Sequence, residues 1–231
     1  MTTQTDEATK GFLVQAGQKL VCVGDSITEA ADGYVTVMAR MIAAVYPERG
    51  VRVVNRGVSG NRVRDMYARL ERDVIAEQPD WVTVNVGVND VWHGFFDFEA
   101  NVEIPEGGGP NGIPLGEYKD TLRRLVQMLL ENTSAGIVLV TPTVIGEDPH
   151  TRANRMLDDY VAVMERVGVE LGVRVCPMHH AFVDALRRGK SADAGYTLTT
   201  DGVHMNAVGN MLMAITLLRT LGFFQGVLLP A

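Results

Sequence analysis

The chain has 231 residues, 46% of them hydrophobic, which suits one α/β domain with a sizeable core better than two small ones. The formal net charge is −7 and no basic run occurs, which argues against nucleic acid as a partner. No apolar stretch approaches the ~20 residues of a membrane span, and residues 1–7 show no basic or apolar leader region, so a soluble, cytoplasmic protein without membrane contact is expected.

Residues 1–18 are polar and read as a loosely held N-terminal segment, followed by one domain over 19–223 and a short tail over 224–231. The run Lys19-Leu20-Val21-Cys22-Val23 is short, β-branched and closed by Gly24, the pattern of a buried strand. Gly24-Asp25-Ser26 follows as a turn that hands the strand over to a helix. Tyr34, Val37, Met38, Met41, Ile42 and Val45 recur at helical spacing, and Pro47 and Gly50 end that helix. Arg52-Val53-Val54-Asn55 reads as a second strand with a Gly-punctuated turn, Arg56 to Asn61, at its end. A helical stretch covers about 62–76.

Trp81 to Val86 reads as a third strand, and Gly87-Val88-Asn89-Asp90 as the turn after it. Residues 93–116 show no period and read as a long loop, a feature that in a compact domain is functional or mobile. A helix follows on Tyr118, Leu122, Leu125, Val126 and Leu129, then a fourth strand from Gly136 to Thr141. Further helices are expected over about 151–171 and 179–188, flanking a short fifth strand at Val173-Arg174-Val175. After a loop from Gly189 to Thr200, the last helix takes Asn206 as N-cap, with Val208, Met211, Leu212, Ile215 and Leu218 inward. Five strand–helix alternations imply a parallel sheet covered on both faces.

The two cysteines, Cys22 and Cys176, fall on the first and last strands. Three sheet positions span about 14 Å, beyond the ~7 Å limit for a disulfide, so both read as buried free thiols. Their state fits a reducing compartment.

The polar turns after the strands converge on one edge of a parallel sheet, where ligands collect. Acyl transfer needs an activated hydroxyl, a base, an orienter for the base and donors for the oxyanion. Ser26 can supply the hydroxyl and His204 the base. Asp201, three residues before the histidine, is close enough to bond Nδ1–H and leave Nε2 to take the serine proton. The Ser26 and Gly60 N–H groups and the Asn89 side-chain amide are the candidate oxyanion donors. Asp25 and Trp92 are candidates for the substrate pocket, with Asp25 also read as a turn-capping side chain and Asp90 as a loop anchor.

Gly24-Asp25-Ser26, Gly60, Gly87-Val88-Asn89-Asp90 and Asp201-x-x-His204 resemble, in order, the four blocks of the SGNH (GDSL-type) esterase superfamily, over roughly residues 17–223. The resemblance implies a flavodoxin-like three-layer αβα sandwich with a five-stranded parallel sheet in the order 2-1-3-4-5. It also implies a serine esterase with Ser26, Asp201 and His204 as its triad, Gly60 and Asn89 in the oxyanion hole, and no cofactor. The lack of a G-x-S-x-G elbow argues against the α/β-hydrolase fold.

Within that superfamily, Gly24 to Thr28, Val53 to Asn61 and Gly87 to Trp92 look like the intracellular acetylxylooligosaccharide esterases, implying a small acetylated sugar as substrate. Two places depart from that group's pattern. The Glu29-Ala30-Ala31-Asp32 loop is shorter. The last block, Thr199 to Met205, lacks an aromatic before the Asp, an Arg after it and a Pro after the His. A thioesterase or lysophospholipase preferring longer acyl chains, and a non-catalytic binding protein on the same fold, are the rival readings.

His179-His180 does not read as a metal pair, because adjacent residues point to different faces, and no metal is expected. His93 and His150 read as solvent-facing. Trp92 with Phe95, Phe96 and Phe98 is open to three readings: sugar stacking, anchoring of the long loop, or a subunit contact. The methionines on helices read as core filler. The apolar tail Gly226 to Pro230 is a candidate contact for a homo-oligomer.

Overall fold

A computed structural model describes residues 11–225, so the tail named above as a possible contact lies outside the described residues. The elements run β1 (Lys19–Gly24), α1 (Ser26–Glu29), α2 (Tyr34–Val45), β2 (Arg52–Gly57), α3 (Val63–Asp73), β3 (Trp81–Asn85) and α4 (Val88–Trp92). They continue β4 (Phe96–Asp97), β5 (Val102–Glu103), α5 (Leu115–Asn132), β6 (Gly136–Val140), α6 (Arg152–Leu171), β7 (Arg174–Cys176), α7 (Met178–Ala192) and α8 (Ala207–Thr220).

Five strands form one parallel sheet in the order β2-β1-β3-β6-β7, the expected 2-1-3-4-5. On one face α2, α8 and α7 pack side by side, and on the other α3, α5 and α6. This is the flavodoxin-like three-layer sandwich. Burial on both faces is why Leu20, Val21, Cys22 and Val23 form an unbroken apolar run that is entirely inaccessible. Cys22 and Cys176 are free and buried, and burial pushes each thiol up to about 12.

Four expectations need correction. Residues 11–18 are not loosely held: Phe12 and Val14 are buried, and Phe12 packs between Tyr46 and Phe223 with ring centroids 5.3 Å away in each case. Their polar neighbours hid two core residues. The turn after β3 is a short helix, α4, which carries both Asn89 and Trp92. The 93–116 stretch is also structured, with a 3-10 turn at His93–Phe95, the antiparallel β4–β5 pair and the start of α5 at Leu115. Two-residue strands are too short to show a period.

The fourth correction concerns α8. Gly209, Met213, Ala214, Leu217 and Leu218 face inward, whereas Val208 and Met211 are exposed. The helix is apolar on both sides, so periodicity could not choose its face. Met211 is accordingly not core filler. Smaller shifts occur at element ends, as α7 runs to Ala192 and shortens the loop before Thr200.

Candidate active site

β1 ends at Gly24, and α1 begins immediately at Ser26. Asp25 caps that helix, its Oδ1 accepting from the Ile27 N–H at 3.0 Å. The turn is tight because two glycines permit close approach. A Cβ on Gly24 would fall 1.9 Å from Thr28 Oγ1, and one on Gly57 would fall 2.1 Å from the Glu29 nitrogen. The second strand's end is tied to the same turn: Asn55 Nδ2 donates to the Thr28 carbonyl at 2.6 Å, and Ser59 N–H donates to Glu29 Oε2 at 3.0 Å.

Ser26 Oγ lies 3.0 Å from His204 Nε2, and His204 Nδ1 lies 2.7 Å from Asp201 Oδ2. With Nδ1–H donated to the carboxylate, Nε2 is left to accept the serine hydroxyl. Asp201 also accepts at Oδ1 from the backbone N–H groups of Val203 (3.0 Å) and His204 (2.7 Å). Partial burial pushes the Asp201 carboxyl up, but these bonds from His204 and Val203 outweigh it and hold the group at about 2. The carboxylate therefore stays ionised throughout the neutral range.

The loop carrying this pair is closed on itself. Thr199 and Met205 form an antiparallel bridge, and Thr200 N–H donates to the His204 carbonyl at 2.8 Å. Gly202 adopts φ +92°, a conformation that disfavours any side chain. Glu147 holds the loop from outside: its Oε1 accepts from Thr199 N–H at 2.7 Å and from Leu198 N–H at 3.1 Å. No local motif marks Glu147, because its partners lie about fifty positions along the chain.

On the other side of Ser26, Val58 N–H donates to the Gly24 carbonyl at 3.0 Å, which docks the 58–61 turn against the end of β1. Gly60 has φ +75°. Among the described residues, neither the Gly60 nor the Ser26 N–H has an intramolecular acceptor. Asn89 Nδ2 donates to the Asn61 carbonyl at 3.1 Å. A side-chain amide carries two donors, so one can hold the loop while the other serves the site.

Arg69 braces the same corner from below. It donates to the carbonyls of Gly24 and Arg56 at 3.0 Å each and to Asn61 Oδ1 at 2.6 Å. Sequence reading missed this side chain, since a buried arginine on an amphipathic helix carries no distinguishing local pattern.

Asp90 is buried, and its Oδ1 accepts from Val63 N–H at 3.0 Å, so it anchors the start of α3 as expected. Burial, opposed by that bond and reinforced by the nearby Asp25, pushes its carboxyl up to about 7. Asp25 is raised to about 6, again mainly by burial. Of the two pocket candidates, Trp92 is 40% exposed, whereas Asp25 is buried beneath the turn and reaches no solvent. Its role is the cap.

His179 is buried, with Nδ1 2.6 Å from the Thr143 carbonyl and Nε2 3.0 Å from Asp158 Oδ1, while His180 is exposed. The two rings thus face different surroundings. His150 is exposed, as expected. His93 is instead half-buried among Trp92 and Phe98, which with Arg62 lowers its basicity.

The model of the GDSL-like Lipase/Acylhydrolase family matches residues 22–212, from within β1 to the first half of α8. The chain belongs to this family. A GDSL-like acylhydrolase of this kind is a carboxylic ester hydrolase. The chain is 36% identical over 224 residues to an acetylxylan esterase of Geobacillus stearothermophilus, covering 91% of this chain and 96% of that protein. The crystal structure of that esterase superimposes with a TM-score of 0.80 at 34% identity, over 94% of this chain and 100% of the other. An enzyme from the metagenome of Lake Arreo, described as an alpha/beta hydrolase, superimposes with a TM-score of 0.79 at 31% identity, over 92% and 98% of the two chains. Among the described residues of this GDSL-like acylhydrolase, no helix is long and apolar enough to cross a membrane.

Proposed function

We propose that this acylhydrolase is a serine esterase that removes acetyl groups from short xylan fragments, with Ser26 as nucleophile, His204 as base and Asp201 as its orienter. The reading is carried by one observation, the unbroken chain from Asp201 through His204 to Ser26 at 2.7 and 3.0 Å. The substrate class is supported by the likeness to the Geobacillus esterase, whose name states acetylxylan. In this reading residues 19–223 act as one catalytic domain.

Ser26 Oγ attacks the acetyl carbonyl carbon as His204 Nε2 takes the hydroxyl proton. The carbonyl oxygen becomes an oxyanion facing the N–H groups of Ser26 and Gly60 and the second Asn89 donor. When the bond from carbon to the sugar oxygen breaks, His204 returns the proton to that oxygen, leaving acetyl-Ser26 and a free sugar hydroxyl. Water then attacks the acetyl carbon, giving a proton to His204. Collapse of the second tetrahedral intermediate expels Ser26 Oγ, which recovers the proton, and acetate leaves.

The test is acetate release from acetylated xylo-oligosaccharides beside hydrolysis of p-nitrophenyl esters from acetate to octanoate. The reading expects release from the sugars and a p-nitrophenyl optimum at acetate. An optimum at octanoate with no release from the sugars would instead favour a thioester or lysophospholipid substrate.

A further inference from the structure

We infer that Trp92, His93 and Phe98 form an aromatic platform that binds sugar units beyond the acetylated one, so that the enzyme discriminates substrates by chain length. The inference rests on the carbohydrate reading above and extends it to residues outside the catalytic constellation.

The platform begins at the site itself. Asn89 and Trp92 lie three residues apart on α4, and that spacing puts two side chains on one helix face about 5–6 Å apart at Cβ. From Trp92 the rings continue outward. The Trp92 and His93 centroids are 5.6 Å apart, and those of His93 and Phe98 are 5.4 Å apart. Phe96 joins Phe98 at 5.2 Å. Together with Phe95, Glu103 and Pro105 they line a concavity of about 450 Å³.

Anchoring of the loop does not explain these exposed rings. Phe95 already does that job, packing against the core. The backbone is pinned independently: Gly109 N–H donates to the Gly94 carbonyl at 2.8 Å, and Arg62 Nη1 donates to the Asn111 carbonyl at 2.9 Å. Asn111 Oδ1 in turn accepts from Phe98 N–H at 3.1 Å. Yet Trp92 is 40% and Phe98 56% exposed, a standing cost in water without a ligand.

The chemistry favours a sugar over a lipid chain. A pyranose ring offers an apolar C–H face to stack on a ring and equatorial hydroxyls for polar groups at its edge. Glu103 lines the same concavity and supplies a carboxylate for such hydroxyls. An acyl chain would need a closed apolar groove without a carboxylate. The platform also lies one helical turn beyond the Asn89 amide, outside the reacting centre, so it meets distal units of the chain.

The experiment compares Trp92→Ala and Phe98→Ala with wild type on acetylated xylotetraose and acetylated xylose, each rate normalised to that variant's own p-nitrophenyl acetate rate. Both side chains are surface-exposed, so the fold is expected to survive their removal. The expected result is a loss of about tenfold in the tetraose-to-xylose ratio of kcat/KM, carried by KM on the tetraose. An unchanged ratio in both variants, with wild type active on the sugars, overturns the platform and leaves the deacetylase reading standing. Wild type that cleaves p-nitrophenyl acetate but neither sugar overturns both.

Discussion

The side-chain amide of Asn89 donates to the backbone carbonyl of Asn61 at 3.1 Å, joining the helix after β3 to the loop after β2. One bond thus orients the Asn89 amide and positions the loop that carries Gly60. On the proposed mechanism this pre-aims two of the three oxyanion donors before substrate arrives. Asn89→Ala is expected to lower kcat by roughly 100- to 1000-fold with a much smaller change in KM, as for loss of one such donor. Steady-state kinetics on p-nitrophenyl acetate checks it, and a loss confined to KM would count against the role.

Gly60 separates conformation from space. An added Cβ would have nothing within 4 Å, but the backbone is at φ +75°. Gly60→Ala is therefore expected to fold, at a cost of about 1–2 kcal/mol in urea unfolding for holding a side chain in the left-handed region. Its kcat should fall by more than that cost suggests, because relief of the strain turns the N–H away. Full activity in a destabilised variant would remove Gly60 from the oxyanion site.

Asp201→Asn keeps the Oδ1 acceptor for Val203 and His204 but presents an amide to His204 Nδ1. The imidazole then adopts the other tautomer and cannot take the serine proton. The expectation is a fall of about 10⁴ in kcat. The melting temperature should change little, since the Asp201 side chain is 54% exposed. In the wild type Asp201, held at about 2, remains ionised from neutral to mildly acidic pH.

Two buried carboxyls set a pH dependence of stability. Asp25 and Asp90 are raised in the folded protein to about 6 and about 7, above the ~3.9 of an unfolded chain. Between those values the native state holds protons that the unfolded state has lost. Stability is thus fully supported below about pH 4 by these groups and falls as pH rises toward 7. Each pKa unit corresponds to about 1.4 kcal/mol. Urea midpoints from pH 4 to 8 should decline for wild type and decline less for Asp90→Asn, which keeps the acceptor for Val63 and cannot ionise. Parallel curves would contradict this assignment.

The sheet was legible because strands buried on both faces must be continuous apolar runs. Val21-Cys22-Val23 and Ile137-Val138-Leu139-Val140 announce themselves, and five strand–helix alternations leave few topologies. The catalytic candidates were legible because Ser26, Gly60 and Asn89 each follow a strand end, and because these and Asp201-x-x-His204, which follows α7, lie along the chain in the order of a known set of blocks. What stayed hidden depended on long-range packing. Phe12 looks like a stray aromatic in a polar segment until Tyr46 and Phe223 close over it. Glu147 acts on a loop some fifty residues away, and Arg69 reaches Gly24 forty-five residues away, so nothing near them signals those partners. The face of α8 was ambiguous because Val208 and Met211 are as apolar as Leu217 and Leu218.

The central claim is that Ser26 is the nucleophile of an ester hydrolase, and kcat on p-nitrophenyl acetate for wild type beside Ser26→Ala tests it most directly. The account predicts a readily measured wild-type rate and a loss of roughly a million-fold in the variant, the scale on which a triad serine fails when removed. A variant that retained a substantial fraction of wild-type activity would contradict it, whatever the geometry around His204.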